Sequence, residues 1–116
     1  MSASPLTLNL SIGSVSFSFT PEAAKEFQAA LNLLIERLKA TAAKTTPGAK
    51  ATPSPPVEYR YTGDVFLEMF CNPNIWPNPF TAKVLITVRD INIRVTVEAE
   101  LTRVQEDINQ YLEQYG

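Results

Sequence analysis

Two runs of strict alternation constrain this chain more than anything else in it: Phe80, Ala82, Val84, Ile86, Val88, and then Ile93, Val95, Val97, Ala99, Leu101. Period-two spacing places every second side chain on one face of a strand, and two such runs joined by a short segment read as an antiparallel hairpin. Folding about Asp90-Ile91 predicts Val88 opposite Ile93, Val84 opposite Val97 and Phe80 opposite Leu101. The reverse face then gains Lys83 against Glu98 and Thr81 against Glu100. A hairpin with one apolar face must be covered by a second layer, so the rest of the chain has to supply helices or further strands.

The N-terminal stretch supplies both. In "LNLSIGSVSFSF", residues 8–19, apolar residues fall on even positions (Leu8, Leu10, Ile12) and then on odd ones (Val15, Phe17, Phe19). A hairpin turning at Gly13-Ser14 returns all six to one face, with Ile12 opposite Val15, Leu10 opposite Phe17 and Leu8 opposite Phe19. One long strand with a bulge also restores the phase. "TPEAAKEFQAALNLLIERLKA" follows, with Thr20 as cap, Pro21 in the first helical position and Glu22 at the positive end of the helix dipole. Ala24, Phe27, Leu31, Leu34 and Leu38 form its apolar stripe, and Leu33 points away from it.

"TTPGAKATPSPP", residues 45–56, has no apolar side chain larger than alanine or proline and is expected to be a disordered linker inside the domain. Beyond it Val57, Tyr59, Tyr61, Val65, Leu67, Met69 and Cys71 share one phase, with Gly63 between them. That pattern is a long bent strand, or a hairpin whose Thr62-Gly63-Asp64 loop sets Tyr61 opposite Val65. "TRVQ", residues 102–105, has capping-box form ahead of Val104, Ile108, Leu112 and Tyr115, and a start at Thr96 also fits.

These elements predict an α+β fold: one domain over residues 1–116, an antiparallel sheet of about five strands in ββ-α-βββ-α order, and helices packed on it. The element order resembles that of the longin and profilin-like class, which implies an interaction or regulatory module. A length of 116 residues suits one core and not two. The net charge of -2 gives no reason to approach a polyanion. One cysteine, no signal-peptide pattern and no apolar run of ~20 residues lead us to expect a soluble cytoplasmic protein without a transmembrane segment.

The chemical vocabulary is narrow. The chain has no histidine, which removes the commonest general base and the usual zinc ligand. Cys71 lies in phase with Val65, Leu67 and Met69 and reads as a buried thiol rather than a nucleophile. Glu106-Asp107 is explained by the helix dipole, and the four glycines form no phosphate loop. We therefore expect no enzyme, no cofactor and no metal. Tyr59, Arg60 and Tyr61 are the one place where aromatic and basic residues interleave, but both tyrosines fall on the core phase, so nucleic acid is disfavoured as a partner.

Two candidate contact surfaces remain. "CNPNIWPNPF", residues 71–80, holds Ile75, Trp76 and Pro77 in a connection stiffened by three prolines, suited either to presenting Trp76 or to plugging the core with it. Phe66, Phe70 and Leu85 lie on the otherwise polar phase of their strands. Such a patch calls for a cover, either the last helix through Val104, Ile108 and Leu112 or a second copy in a homodimer. Residues 64–114, from "DVFLEMFCNPNIWPNPFTAKVLITVRD" to "TVEAELTRVQEDINQYLEQ", resemble small uncharacterised proteins found in cyanobacterial genomes. That resemblance implies an accessory role in a photosynthetic cell and assigns no site residues. The expected function is a non-enzymatic protein-interaction or assembly module. A binder of small apolar ligands and a weak single-strand nucleic-acid binder are the alternatives.

Overall fold

Every run of alternation forms a strand, and every hairpin closes in a register different from the one its apolar pattern first suggests. A computed structural model describes residues 4–43 and 55–116. The expected linker at residues 45–56 lies outside these except for Pro55 and Pro56, whose side chains are exposed. The elements are β1 (Ser4–Leu10), β2 (Gly13–Phe19), α1 (Pro21–Ala43), β3 (Val57–Thr62), β4 (Phe66–Cys71), β5 (Lys83–Arg89), β6 (Arg94–Glu100) and α2 (Leu101–Tyr115). The fold is α+β. Its strands divide into a β1-β2 hairpin and a four-stranded antiparallel meander, β3-β4-β5-β6, in place of one sheet of about five.

The β1–β2 hairpin turns at Ser11-Ile12, pairing Leu10 with Gly13, Leu8 with Val15 and Leu6 with Phe17. Relative to the expected pairing this is a slip of four residues, which keeps every side chain on its face. No described residue other than glycine has positive φ, while Gly13 sits at +154°. The left-handed backbone therefore follows the turn instead of opening it, and a primed turn at Gly13-Ser14 is not used. Ile12 is left at the tip, 85% exposed.

β3 and β4 form a hairpin around Gly63, Asp64 and Val65, and Tyr61 pairs with Leu67 rather than Val65. β5 and β6 pair Val88 with Val95, Val84 with Ala99 and Lys83 with Glu100, two residues from the expected register. The cause is the turn. Asp90 Oδ1 accepts the backbone N–H groups of Asn92 (2.7 Å) and Ile93 (2.8 Å), and Asp90 N donates to Ile93 O at 2.8 Å, so the loop is longer than a two-residue turn.

α1 starts as its sequence signals: Thr20 Oγ1 accepts from Ala23 N at 3.1 Å. Ala24, Phe27, Leu31, Leu34 and Leu38 are fully buried, and Leu33 is exposed. The capping box at Thr102 is not used. β6 runs directly into α2, Glu100 occupies the N-cap without a side-chain bond, and Leu101 N donates to Ala82 O at 3.1 Å, satisfying one otherwise unpaired amide of the first turn.

α1, α2 and the β1–β2 hairpin gather over one face of the meander. Tyr59 stacks on Phe27 with ring centres 4.9 Å apart, and its hydroxyl donates to Ala23 O at 3.0 Å. Phe19 meets Tyr61 edge-on at 4.8 Å. Val104, Ile108 and Tyr111 of α2 enter the same core, alongside Leu6 and Leu8 of β1 and Met69 and Ile86 of the sheet. Asp107 is buried beside this junction and accepts from both Asn9 N and Asn9 Nδ2 at 2.8 Å, with Arg103 Nε 3.7 Å away. The carboxylate thereby ties β1 to the last helix across nearly the whole sequence.

Candidate functional site

With both helices on one side, no described helix covers the second face of the meander. Its side chains stand in three cross-strand rows that span all four strands, and in a shorter one, Lys83 and Glu100, across β5 and β6 alone. The first is Glu58, Phe70, Leu85, Glu98; the second Arg60, Glu68, Thr87, Thr96; the third Thr62, Phe66, Arg89, Arg94. Phe70 and Leu85 are thus direct cross-strand neighbours at the centre of the first row, and Leu85 is 40% exposed. Phe66 and Phe70 are half-buried and take no part in the core cluster. Of the two covers expected for this patch, the last helix does not supply one, because Val104 and Ile108 face the main core with α1.

Charges frame the apolar residues. The Arg89 guanidinium lies 4.3 Å over the Phe66 ring, shielding one side of it. Arg60 Nε meets Glu68 Oε2 at 3.0 Å and Arg60 Nη2 meets Glu58 at 3.7 Å. These pairs are exposed and contribute at most about 1 kcal/mol each, so they organise the surface more than they hold the fold. Thr87 and Thr96 hydroxyls are 3.4 Å apart across β5 and β6. Glu98 and Arg94 have no ion-pair partner among the described residues.

The second candidate, the Asn/Pro/Trp loop, lies on the helix side. A single 3-10 turn over Pro73–Ile75 packs against α1. Two asparagines fix the loop: Asn72 Oδ1 accepts from Asn74 N (3.0 Å), and Asn78 Oδ1 accepts from Phe80 N (2.9 Å) and Thr81 N (3.0 Å). All described peptide bonds are trans. Trp76 is half-buried against the core and hydrogen-bonds the Cys71 sulfur, while Ile75 and Pro77 face solvent. Trp76 therefore lies nearer the plug than the protruding anchor, and Ile75 is the residue presented. The loop and the Phe66, Phe70, Leu85 patch are two separate surfaces.

Phe80, expected in the core opposite Leu101, is instead 82% exposed. β5 begins only at Lys83, Ala82 takes the buried slot beside Leu101, and the Asn78 turn throws Phe80 outward. With Ile35, Pro79 and Leu101 it lines a groove of about 340 Å³ between the loop and the two helices. The asparagine two residues before Phe80 was the signal for this turn.

Cys71 is buried, its thiol donating to Lys83 O at 3.4 Å. Burial pushes the thiol up to about 11, only partly offset by the hydrogen bond from Trp76, which leaves little thiolate near neutral pH. Tyr59 and Tyr61 turn toward the core while Arg60, between them, turns to the open face, so the three do not form one surface. Among the described residues no three His, Cys, Asp or Glu side chains come together as a metal site, and no helix is long and apolar enough to cross a membrane. No protein-family model, curated protein or solved structure matches the chain.

Proposed function

We propose that the protein is a non-enzymatic protein-interaction or assembly module that binds through the open face of its four-stranded sheet. One observation carries this reading: Phe66, Phe70 and Leu85 stand outside the core on a sheet face that no described helix covers. A solvated sheet face ordinarily alternates to polar residues, so three large apolar side chains there favour a second surface that buries them. Full burial of such a side chain contributes roughly 1.5–3 kcal/mol, and because these three are already partly buried, covering them adds less than half of that, about 1 kcal/mol each. The test is affinity capture from native cell extract with the wild type, Phe70→Asp and Ile75→Ser. A partner kept by the wild type and Ile75→Ser but lost by Phe70→Asp supports the open face. A partner lost only by Ile75→Ser moves the contact surface to the loop and defeats the reading.

The groove beside Phe80 supports a second reading, a small apolar-ligand binder, because its walls combine Ile35, Pro79, Phe80 and Leu101. A fluorescent hydrophobic probe whose signal survives Phe80→Ala unchanged removes it.

A further inference from the structure

The groove beside Phe80 has apolar walls and one cation, and from this we infer that its ligand is a small apolar carboxylate, one or two rings in size, whose anionic end meets Lys39. The inference rests on the second reading, that the groove takes a small apolar ligand at all. Three elements build it. Ile35 and Lys39 stand one turn apart on α1, Leu101 and Gln105 one turn apart on α2, and Pro79 and Phe80 come from the loop between β4 and β5. Leu101 is fully buried at the bottom, Ile35 and Pro79 are half-buried, and Phe80 stands exposed at the rim. An exposed aromatic ring beside half-buried aliphatic side chains favours a flat apolar partner laid against it. Asn78 Oδ1 already fixes the backbone of Phe80 and Thr81, so little ordering of the loop is left to oppose binding.

The walls decide the ligand's charge. Among the described residues that line the groove, Lys39 is the one charged side chain and none is acidic. Glu36 reaches the Lys39 ammonium only at 4.0 Å, with both side chains mostly exposed, a pair too weak to occupy the cation. The acids nearest in sequence on the α2 side turn elsewhere: Glu100 stands across from Lys83 on the open face, and Glu106 lies 3.8 Å from Arg103. Thr102 and Gln105 add a hydroxyl and an amide as hydrogen-bond donors. A single cation with neutral donors matches a monoanion, whereas an amine would meet like charge. The volume of about 340 Å³ lies near the lower end of small-molecule sites, roughly 300–1,000 Å³, which sets the size of the apolar part.

Cinnamate and its neutral amide, cinnamamide, share one apolar body and differ in charge, so titrating each into the full chain and following backbone amide shifts by NMR separates the two claims. Both should bind, with shifts centred on Phe80 and the first turn of α2, and cinnamate should bind about three- to fivefold tighter, the upper range of one exposed ion pair. Lys39→Met keeps the apolar stem and removes the charge, so it should bring cinnamate to the level of cinnamamide and leave cinnamamide unchanged. Salt at about 1 M, where the screening length is about 3 Å, should erase the same preference in the wild type. Phe80→Ala should weaken both probes by one common factor, at least about threefold. Lys39 and Phe80 are both exposed, and circular dichroism checks that the variants keep the fold. Equal affinity of the two probes for the wild type, or a preference that survives Lys39→Met, overturns the carboxylate and leaves the apolar site standing. Failure of both probes to bind at millimolar concentration, or binding that ignores Phe80→Ala, overturns the second reading and the inference with it.

Discussion

The two faces of the four-stranded sheet share the same strands and differ in what is asked of them. On the covered face Met69, Val84 and Ile86 are essentially inaccessible, Tyr59 is locked by a stack and a buried hydrogen bond, and two helices close the layer. On the open face the apolar residues are fewer, set among ion pairs, and only half hidden. Substitution on the covered face should lower folding stability, whereas on the open face it should change association. Apolar alternation thus identifies a face which needs burial, and only the placement of the helices says whether the chain itself provides it.

The contrast between the faces breaks first, if it breaks, at Phe27. Phe27→Ala removes a fully buried α1 ring that stacks on the covered face and should cost about 3–5 kcal/mol in denaturant unfolding, whereas Leu85→Ala should cost under about 1 kcal/mol. Equal losses would mean that the open face is core. Next in size is Asp107→Ala, which leaves the backbone and side-chain donors of Asn9 without their acceptor. A loss of about 2–4 kcal/mol is expected, and Asn9→Ala in the same background should add little, since the two act as one contact.

The covered face also predicts an alkaline limit. Burial raises the Cys71 thiol from 9.0 to about 11, and raises the Tyr59 phenol in the same direction, with Glu26 and Tyr61 adding to it. A group whose folded value is raised stabilises fully below its unfolded value. That stabilisation should fall away as pH rises from about 9 through about 11, by about 2 kcal/mol for the thiol. Urea midpoints that stay flat from pH 8 to 11 contradict it. The smallest effect on the fold belongs to the open face: Phe66→Asp should leave the far-ultraviolet spectrum and unfolding midpoint of the isolated chain nearly unchanged while removing capture of the partner. Loss of structure would return Phe66 to the core.

The elements and their faces are legible in the sequence because apolar periods of two and of three to four are local. Register is not. All three hairpins sit an even number of residues from the pairing that their apolar patterns suggest, and an even slip leaves every side chain on its face, so alternation is blind to it. Turn chemistry decides instead: Asp90 capping two amides, and Gly13 carrying the positive φ after its turn. Phe80 leaves the core for the same reason, since a two-residue slip moves its expected partner slot to Ala82. Asp107 reads from the sequence as a dipole partner because its acceptor role depends on Asn9, at the opposite end of the chain. On the open face, Phe66, Phe70 and Leu85 are visible by parity, but which residues stand beside them in each cross-strand row appears only once the register is known.

If a partner buries the open face, the thermal unfolding midpoint must depend on the concentration of the captured partner, because a partner that binds only the folded state raises the midpoint by mass action. With the partner at about ten times its Kd the wild type should gain several degrees, and Phe66→Asp should gain none. A wild-type midpoint that does not move, or one that moves equally in Phe66→Asp, contradicts burial of the open face by a partner.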